Sequence, residues 1–309
     1  MSPAPVALFV YNRPLHTRQT IDALAANLLA EQTSLYVFSD GARDAAASSS
    51  VAQVRELVRD VRGFASVQVV ERESNVGLAR SIIEGVTWLC REHGRTIVVE
   101  DDLVTSNRFL QYMNGALVHY ERDEAVMHVS GYMYPASTEG LPETFFLPPA
   151  SCWGWATWQR AWQHFHKDPA ELQRRFTADR RRAFNLDHSF PYWTQVELNA
   201  RGVMNTWAIF WYASVFLRGG LCLHPRDSYV RNIGHDGSGV HSAPSQAFDV
   251  SLNAQPVGEW CDDLRVHPQA LQRLQSYFRS STSLRVRARM RLESLLDRAR
   301  VTRLAQAGP

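Results

Sequence analysis

TIVVEDDLVTS, residues 96–106, sets three carboxylates directly behind a β-branched run. Ile and Val without polar interruption read as a strand buried on both faces. Glu100, Asp101 and Asp102 then crowd the C-terminal end of that strand. Carboxylates held so close repel one another unless a cation or a hydrogen-bonding ligand compensates them. Hard oxygens at a strand end suit Mn²⁺ or Mg²⁺, with a ligand's phosphates completing an octahedral shell. A plainer reading is also open, in which the acids favour the dipole of the helix that SNRFLQYMNGAL (106–117) begins. If the triplet continues the strand, Glu100 and Asp102 face one way and Asp101 the other.

Working outward, the strand has company on both sides. VALFVYN (6–12), SLYVFSDG (34–41) and SVQVVE (66–71) are further apolar runs that stop at polar or turn residues. Between them lie helical patterns: Ile21, Leu24, Leu28 and Leu29; Val51, Val54, Leu57, Val58 and Val61; Leu78, Ile82, Ile83, Val86 and Leu89. Buried strands alternating with amphipathic helices predict an α/β fold, a Rossmann-like, mostly parallel sheet with helices on both faces. Asn12, Arg13, Ser39 and Asp40 gather with the triplet at the strands' C-terminal ends, the edge where open α/β sheets bind ligands.

After VMHVSGYMYP (126–135) the chain changes character. SCWGWATWQRAW (151–162) and TWAIFWYASVFLRGGL (206–221) make this half aromatic, and seven of the nine Trp fall between 153 and 211. Most of these rings are expected in the core, with one or two left for a ligand. The divisions expected are 1–135, the half of alternating strands and helices; 136–265, the aromatic half with a glycine-rich loop; and 266–309, a helical basic tail.

Charge and cysteine usage exclude several classes. Of 309 residues, 33 are Lys or Arg and 31 Asp or Glu, a balance of +2 that gives no electrostatic case for nucleic acid. Residues 283–309 carry seven Arg against Glu293 and Asp297. With Leu284, Ala288, Leu292, Leu295, Leu296 and Ala299 near one helical face, this segment suits an anionic membrane surface. Cys90, Cys152, Cys222 and Cys261 form no CxxC pair, so neither a zinc knuckle nor a disulfide framework is indicated, and a reducing cytoplasm is the expected compartment. MSPAPVALFVYNRP lacks a basic n-region and reads as a first strand rather than a leader. No window approaches the roughly 18 apolar residues of a membrane span. The location expected is cytoplasmic, with peripheral attachment to the inner membrane face.

In order and spacing, VALFVYNRP, VFSDG, NVGLARSIIEGVTWL, TIVVEDDLVTSNRFLQYMNGAL and DEAVMHVSGY resemble the GT-A nucleotide-sugar transferases, most closely the N-acetylglucosaminyltransferase I family. The resemblance covers residues 5–135 well and thins afterwards. It makes EDD a form of the DxD motif. It implies that Asp102 binds the metal, Asp101 the ribose and Glu100 the sugar at the reacting centre. Arg13 and Asp40 would hold the uridine, with Arg80 also on the donor side. CWGW would place Trp153 near the donor sugar. RNIGHDGSGVH (231–241) resembles a mobile loop that closes over the diphosphate, with Val240 and His241 in contact and His241 able to join the metal shell.

One departure matters. The family's general base is an aspartate in the acceptor half, and this chain reads NTWAIFWY (205–212) in the apparent equivalent. Asp187, Glu197 and Asp236 are the replacement candidates, and inversion is the expected outcome. The implied activity is metal-dependent transfer of a sugar, an N-acetylhexosamine, from a UDP-sugar to a glycan or lipid-linked acceptor in surface polysaccharide synthesis. Three alternatives carry weight: a degenerate nucleotide-sugar or glycan-binding protein of the same fold, a sugar nucleotidyltransferase, and a receiver domain. The nucleotidyltransferase's glycine-rich signature near the first strand is absent, and a receiver's acidic pair follows the first strand, not the fourth. P-loop chemistry is excluded because GxxxxGK[ST] is missing.

Overall fold

The computed structural model describes residues 2–237 and 247–281. Val240, His241 and the basic segment 283–309 lie outside the described residues. The strands are β1 (Val6–Val10), β2 (Ser34–Ser39), β3 (Ser66–Glu71), β4 (Arg95–Glu100), β5 (Leu103–Thr105), β6 (Val126–Ser130), β7 (Thr144–Leu147), β8 (Trp155–Trp158), β9 (Leu221–Pro225) and β10 (Val230–Asn232). In the first half α1 (Pro14–Ala25), α2 (Ala45–Arg59), α3 (Leu78–His93) and α4 (Phe109–His119) alternate with them. Short helices α5 (Gln159–Trp162), α6 (Pro169–Arg175), α7 (Ala178–Phe184), α8 (Tyr192–Ala200) and α9 (Ala208–Leu217) follow, and α10 (Pro268–Ser281) ends the described chain.

Eight strands form one sheet in the order β3-β2-β1-β4-β8-β6-β9-β7, and β10 pairs with β5 as a separate ribbon. β1 runs parallel to β2 and β4, and β2 parallel to β3. The carboxyl ends of these four strands therefore share one edge. β8 is antiparallel to both β4 and β6, whereas β6 and β9 are parallel. The fold is α/β with a mixed, mostly parallel sheet, as the strand pattern predicts. The divide drawn at residue 135 falls inside this continuous sheet, because β7, β8 and β9 complete it.

The central strands are buried because both faces are covered. Val6, Leu8 and Val10 join Ile97 and Val99 in one cluster; Ala7, Phe9 and Val98 join Ile82, Val86 and Leu89 of α3 in another. α1 starts at Pro14, whose fixed φ suits the first helical position. It ends at Ala25, before the predicted apolar stripe does. Leu28 is therefore exposed, not part of the buried face expected from periodicity. Of the tryptophans, Trp155, Trp162, Trp207 and Trp211 pack against one another in the second cluster. Each such ring stabilises the fold by about 4–6 kcal/mol through area removed from water.

Candidate active site

Two pairings deliver residues to the triplet. Register sets Val98 opposite Trp155 at the end of the antiparallel β4–β8 pair, and Trp153 precedes Trp155 by two residues in the turn that enters β8 beside the carboxyl end of β4. Gly154 lies between them with φ 61, and a side chain there would strike Val230, which is why the CWGW turn needs glycine. The β5–β10 ribbon sets Asn232 opposite Leu103, and Ile233 N–H donates to Asp102 O at 2.8 Å. Residues 234–236 are thereby laid over the triplet. Asp101 and Asp102 form a turn between β4 and β5 rather than continuing the strand, so the alternating-face geometry expected from sequence does not hold.

Arg13 is the hub. Its Nη1 donates to Asp102 Oδ2 at 2.9 Å, its Nη2 reaches Gly234 O at 3.5 Å, and Asp236 Oδ1 lies 3.5 Å from Nη2. His16 Nε2, one turn into α1, is 3.1 Å from Asp236 Oδ2 and 3.2 Å from Arg13 Nη2. Asp102 presses so closely on Gly234 that a Cβ there would overlap the carboxylate. Gly234→Ala is therefore expected to displace Asp102 or the ribbon. If Mn²⁺ raises the melting point of the parent protein, that increment should disappear in the variant, while far-ultraviolet circular dichroism stays unchanged.

Electrostatically the triplet is under-compensated. Burial, then the charges of Asp102 and Asp101, push the Glu100 carboxyl well above its usual range. Asp101 is pushed up to about 7, by burial first and Asp102 second, against the pull of Arg13 and the Tyr11 N–H that donates to Oδ2 at 3.2 Å. Three acids thus share essentially one full positive charge, that of Arg13. This donor set fits a hard divalent cation: Asp102 and Asp236 offer oxygens on either side of the guanidinium, and added positive charge relieves Glu100 and Asp101.

The other residues singled out from sequence fall in different places. Asp40 is buried, and its carboxylate accepts from the N–H groups of Gly41 (2.9 Å), Val76 (3.0 Å) and Gly77 (2.8 Å) and from Asn75 Nδ2 (3.1 Å). Four donors fill its acceptor positions, so it pins the end of β2 to the loop before α3 instead of facing a uridine. Arg80 sits exposed on α3, paired with Glu84 at 2.6 Å. Among the three base candidates, Asp236 is the one that reaches Arg13, the partner of Asp102. Asp187 pairs with Arg182 at 2.8 Å. Glu197 follows Gln195 by two residues on α8, about 200° around the helix from the side chain that faces the cavity described next.

A cavity of about 290 Å³ opens beside Trp153, walled by Tyr134, Phe190, Tyr192, Gln195 and Ile209 among others. Its floor is the loop 148–152, which buried groups hold from below. His128 Nε2 donates to Ser151 O at 2.9 Å, His224 Nε2 to Pro149 O at 3.0 Å, and Cys222 Sγ to Pro148 O at 3.4 Å. Trp211 Nε1 lies 3.0 Å from His128 Nδ1. An indole N–H only donates, so Nδ1 accepts and the proton of neutral His128 resides on Nε2. Burial pushes His128 down to about 3 and His224 to about 4. Sequence reasoning missed these histidines, Gln195, His16 and the tyrosines of the cavity. The histidines sit in apolar strands where no spacing rule marks them; His16, one turn beyond Arg13, is the one that helical spacing from a known candidate could have found.

Neither protein-family models nor curated protein sequences match the chain. Among solved structures it is similar to S. aureus TarS, with a TM-score of 0.43 and 13% identity over 75% of this chain and 37% of that one. It is also similar to the mannosyltransferase PcManGT from Pyrobaculum calidifontis, in complex with GDP-Man and Mn²⁺, with a TM-score of 0.35 and 11% identity over 71% of each chain. The chain spans little more than a third of the TarS chain. These are likenesses of layout, and neither assigns a role to a residue. Among the described residues no helix is long and apolar enough to cross a membrane.

Proposed function

We propose that the chain is a GT-A-type glycosyltransferase that moves a sugar from a UDP-sugar to a hydroxyl of a glycan or lipid-linked acceptor. The sugar is an N-acetylhexosamine by the sequence resemblance. The observation that supports this most is the under-compensated triplet at the carboxyl end of the central strand, with Arg13, His16 and Asp236 gathered over it. Asp102 with Asp236 would hold a Mn²⁺ or Mg²⁺ there, and the bound ion would supply positive charge to offset a diphosphate leaving group. Arg13 is released from Asp102 to pair with the nucleotide's phosphates or base. Asp101, on the Tyr11 side, faces the nucleoside.

In this reading the acceptor oxygen attacks the anomeric carbon as the bond to the diphosphate breaks with its electron pair, inverting that centre. The acceptor's proton passes to a carboxylate. Glu100 is assigned this role by position: its charge acts on Cys152, which lines the cavity, whereas Asp236 sits on the Arg13 and His16 side. A panel of nucleotide sugars with and without Mn²⁺ tests the reading, since a ligand of the folded state raises its melting point by mass action. A metal-dependent rise with a UDP-sugar, accompanied by slow donor hydrolysis, is expected. Glu100→Gln should keep the rise and lose transfer by about a hundredfold or more. A rise without any donor hydrolysis or transfer would instead mark a binding protein, a reading favoured by the absence of carboxylates from the cavity wall among the described residues. No rise with any nucleotide sugar would refute the proposal.

A further inference from the structure

We propose that the cavity beside Trp153 binds an uncharged sugar ring of the acceptor, an inference that rests on the transferase reading for the word acceptor but not for the word sugar. At about 290 Å³ the space lies at the small end of ligand pockets, which suits one ring rather than an extended oligosaccharide. Its lining includes the rings of Trp153, Phe190 and Tyr192, apolar groups of the kind that pack against the C–H face of a pyranose. Polar groups are few and matched to hydroxyls. The Gln195 side-chain amide makes no hydrogen bond among the described residues, so it offers both donors and acceptors to a ligand. The hydroxyls of Tyr134 and Tyr192 lie 3.4 Å apart, a pair that spends one proton between them and leaves the other for a guest.

Charge decides the class. Among the described residues no charged side chain lines the cavity. A uronate or phosphorylated ring entering it would lose its hydration with nothing to pair it, a cost of several kcal/mol. A neutral hexose or N-acetylhexosamine pays no such penalty. Location separates acceptor from donor. A donor sugar is one oxygen away from its diphosphate and so must lie against the carboxylates, yet none of Glu100, Asp101, Asp102 and Asp236 lines this cavity. The cavity nonetheless adjoins the triplet: Cys152, which lines it, lies close enough to Glu100 to feel its charge. A ring bound there is therefore beside the sugar to be transferred.

The test uses the full chain and simple probes: methyl glycosides of glucose, galactose, mannose, N-acetylglucosamine and glucuronic acid, observed by saturation-transfer NMR. At least one neutral glycoside should bind and the glucuronide should not. Ile209→Trp, which fills the cavity, should abolish that signal, and Gln195→Leu should weaken it about fivefold. Both variants should keep the melting rise given by UDP with Mn²⁺, which reports an intact fold and donor side. Absence of binding by every neutral glycoside, equal binding of the glucuronide, or binding untouched by Ile209→Trp overturns the proposal. Displacement of the glycoside by a UDP-sugar but not by UDP makes the cavity a donor pocket and also overturns it. Glycoside binding that Ile209→Trp removes, in a protein that never responds to UDP and Mn²⁺, sinks the transferase reading and leaves the sugar site standing.

Discussion

Asp102→Asn is expected to reduce metal-dependent donor hydrolysis and transfer by about a thousandfold or more, some 4 kcal/mol of transition-state stabilisation. The amide keeps the size of the carboxylate, and its oxygen can still accept from Arg13 Nη1, 2.9 Å away in the parent. What it loses is the negative charge facing the cation. The fold should survive, because two stability terms oppose each other. Losing a charged partner costs Arg13 about 1 kcal/mol, while removing one of three crowded charges relieves Glu100 and Asp101, both raised by Asp102. The melting point without metal should thus move little, and the increment with Mn²⁺ should vanish. Near-normal activity with an unchanged Mn²⁺ requirement would show the triplet to be decoration at the turn leading to β5 and α4, and the functional reading would fall with it.

The second large effect concerns acid. His224, pushed down to about 4 by burial, is neutral in the folded protein and has an ordinary pKa near 6.5 when unfolded. Between those values the unfolded chain binds the extra proton, so stability is complete above about 6.5 and is lost as pH falls toward the folded value. From pH 7.5 to 5 the loss is about 2 kcal/mol, and His128, lowered to about 3, contributes a similar amount in the same direction. The triplet works the other way. Asp101, raised to about 7, binds its proton more readily when folded, so acidification relieves it. The net profile mixes both signs, and a substitution separates them. His224→Gln keeps a donor for Pro149 O and removes the titration. Chemical denaturation at pH 7.5 and pH 5 should show the variant losing about 2 kcal/mol less than the parent between the two. Equal losses would mean that His224 is protonated in the folded state after all.

The same histidines illustrate what local sequence leaves out. HVSGY (128–132) reads as a strand end, and nothing in its spacing tells whether His128 meets solvent, a metal or a tryptophan. The neighbour that fixes its tautomer, Trp211, is 83 residues away. Asp40 shows the converse. Its place after SLYVFS was legible, but its four donors come partly from the loop at 75–77, and only their arrival turns a ligand-facing carboxylate into an internal pin.

By itself the sequence determined the four parallel strands, their covering helices and the edge on which the acids stand. Those are short-range properties: continuous Ile and Val demand burial on two faces, and period-3.6 stripes demand a helix against them. It also determined that Arg13 and the triplet belong to one edge, since each ends a strand of that set. Only the tertiary structure decided which later segments join them. β8 enters antiparallel between β4 and β6 and so brings the CWGW turn to the carboxyl end of β4; β10 pairs with β5 and leads Asp236 to Arg13 and His16. Strand pairing between distant segments is set by what the whole core can bury and where loops can close, not by the pattern within either strand. That is why Asp187, Glu197 and Asp236 were equivalent in the sequence, and why the fold brings Asp236 of the three to Arg13 while Glu100 is the carboxylate on the cavity side.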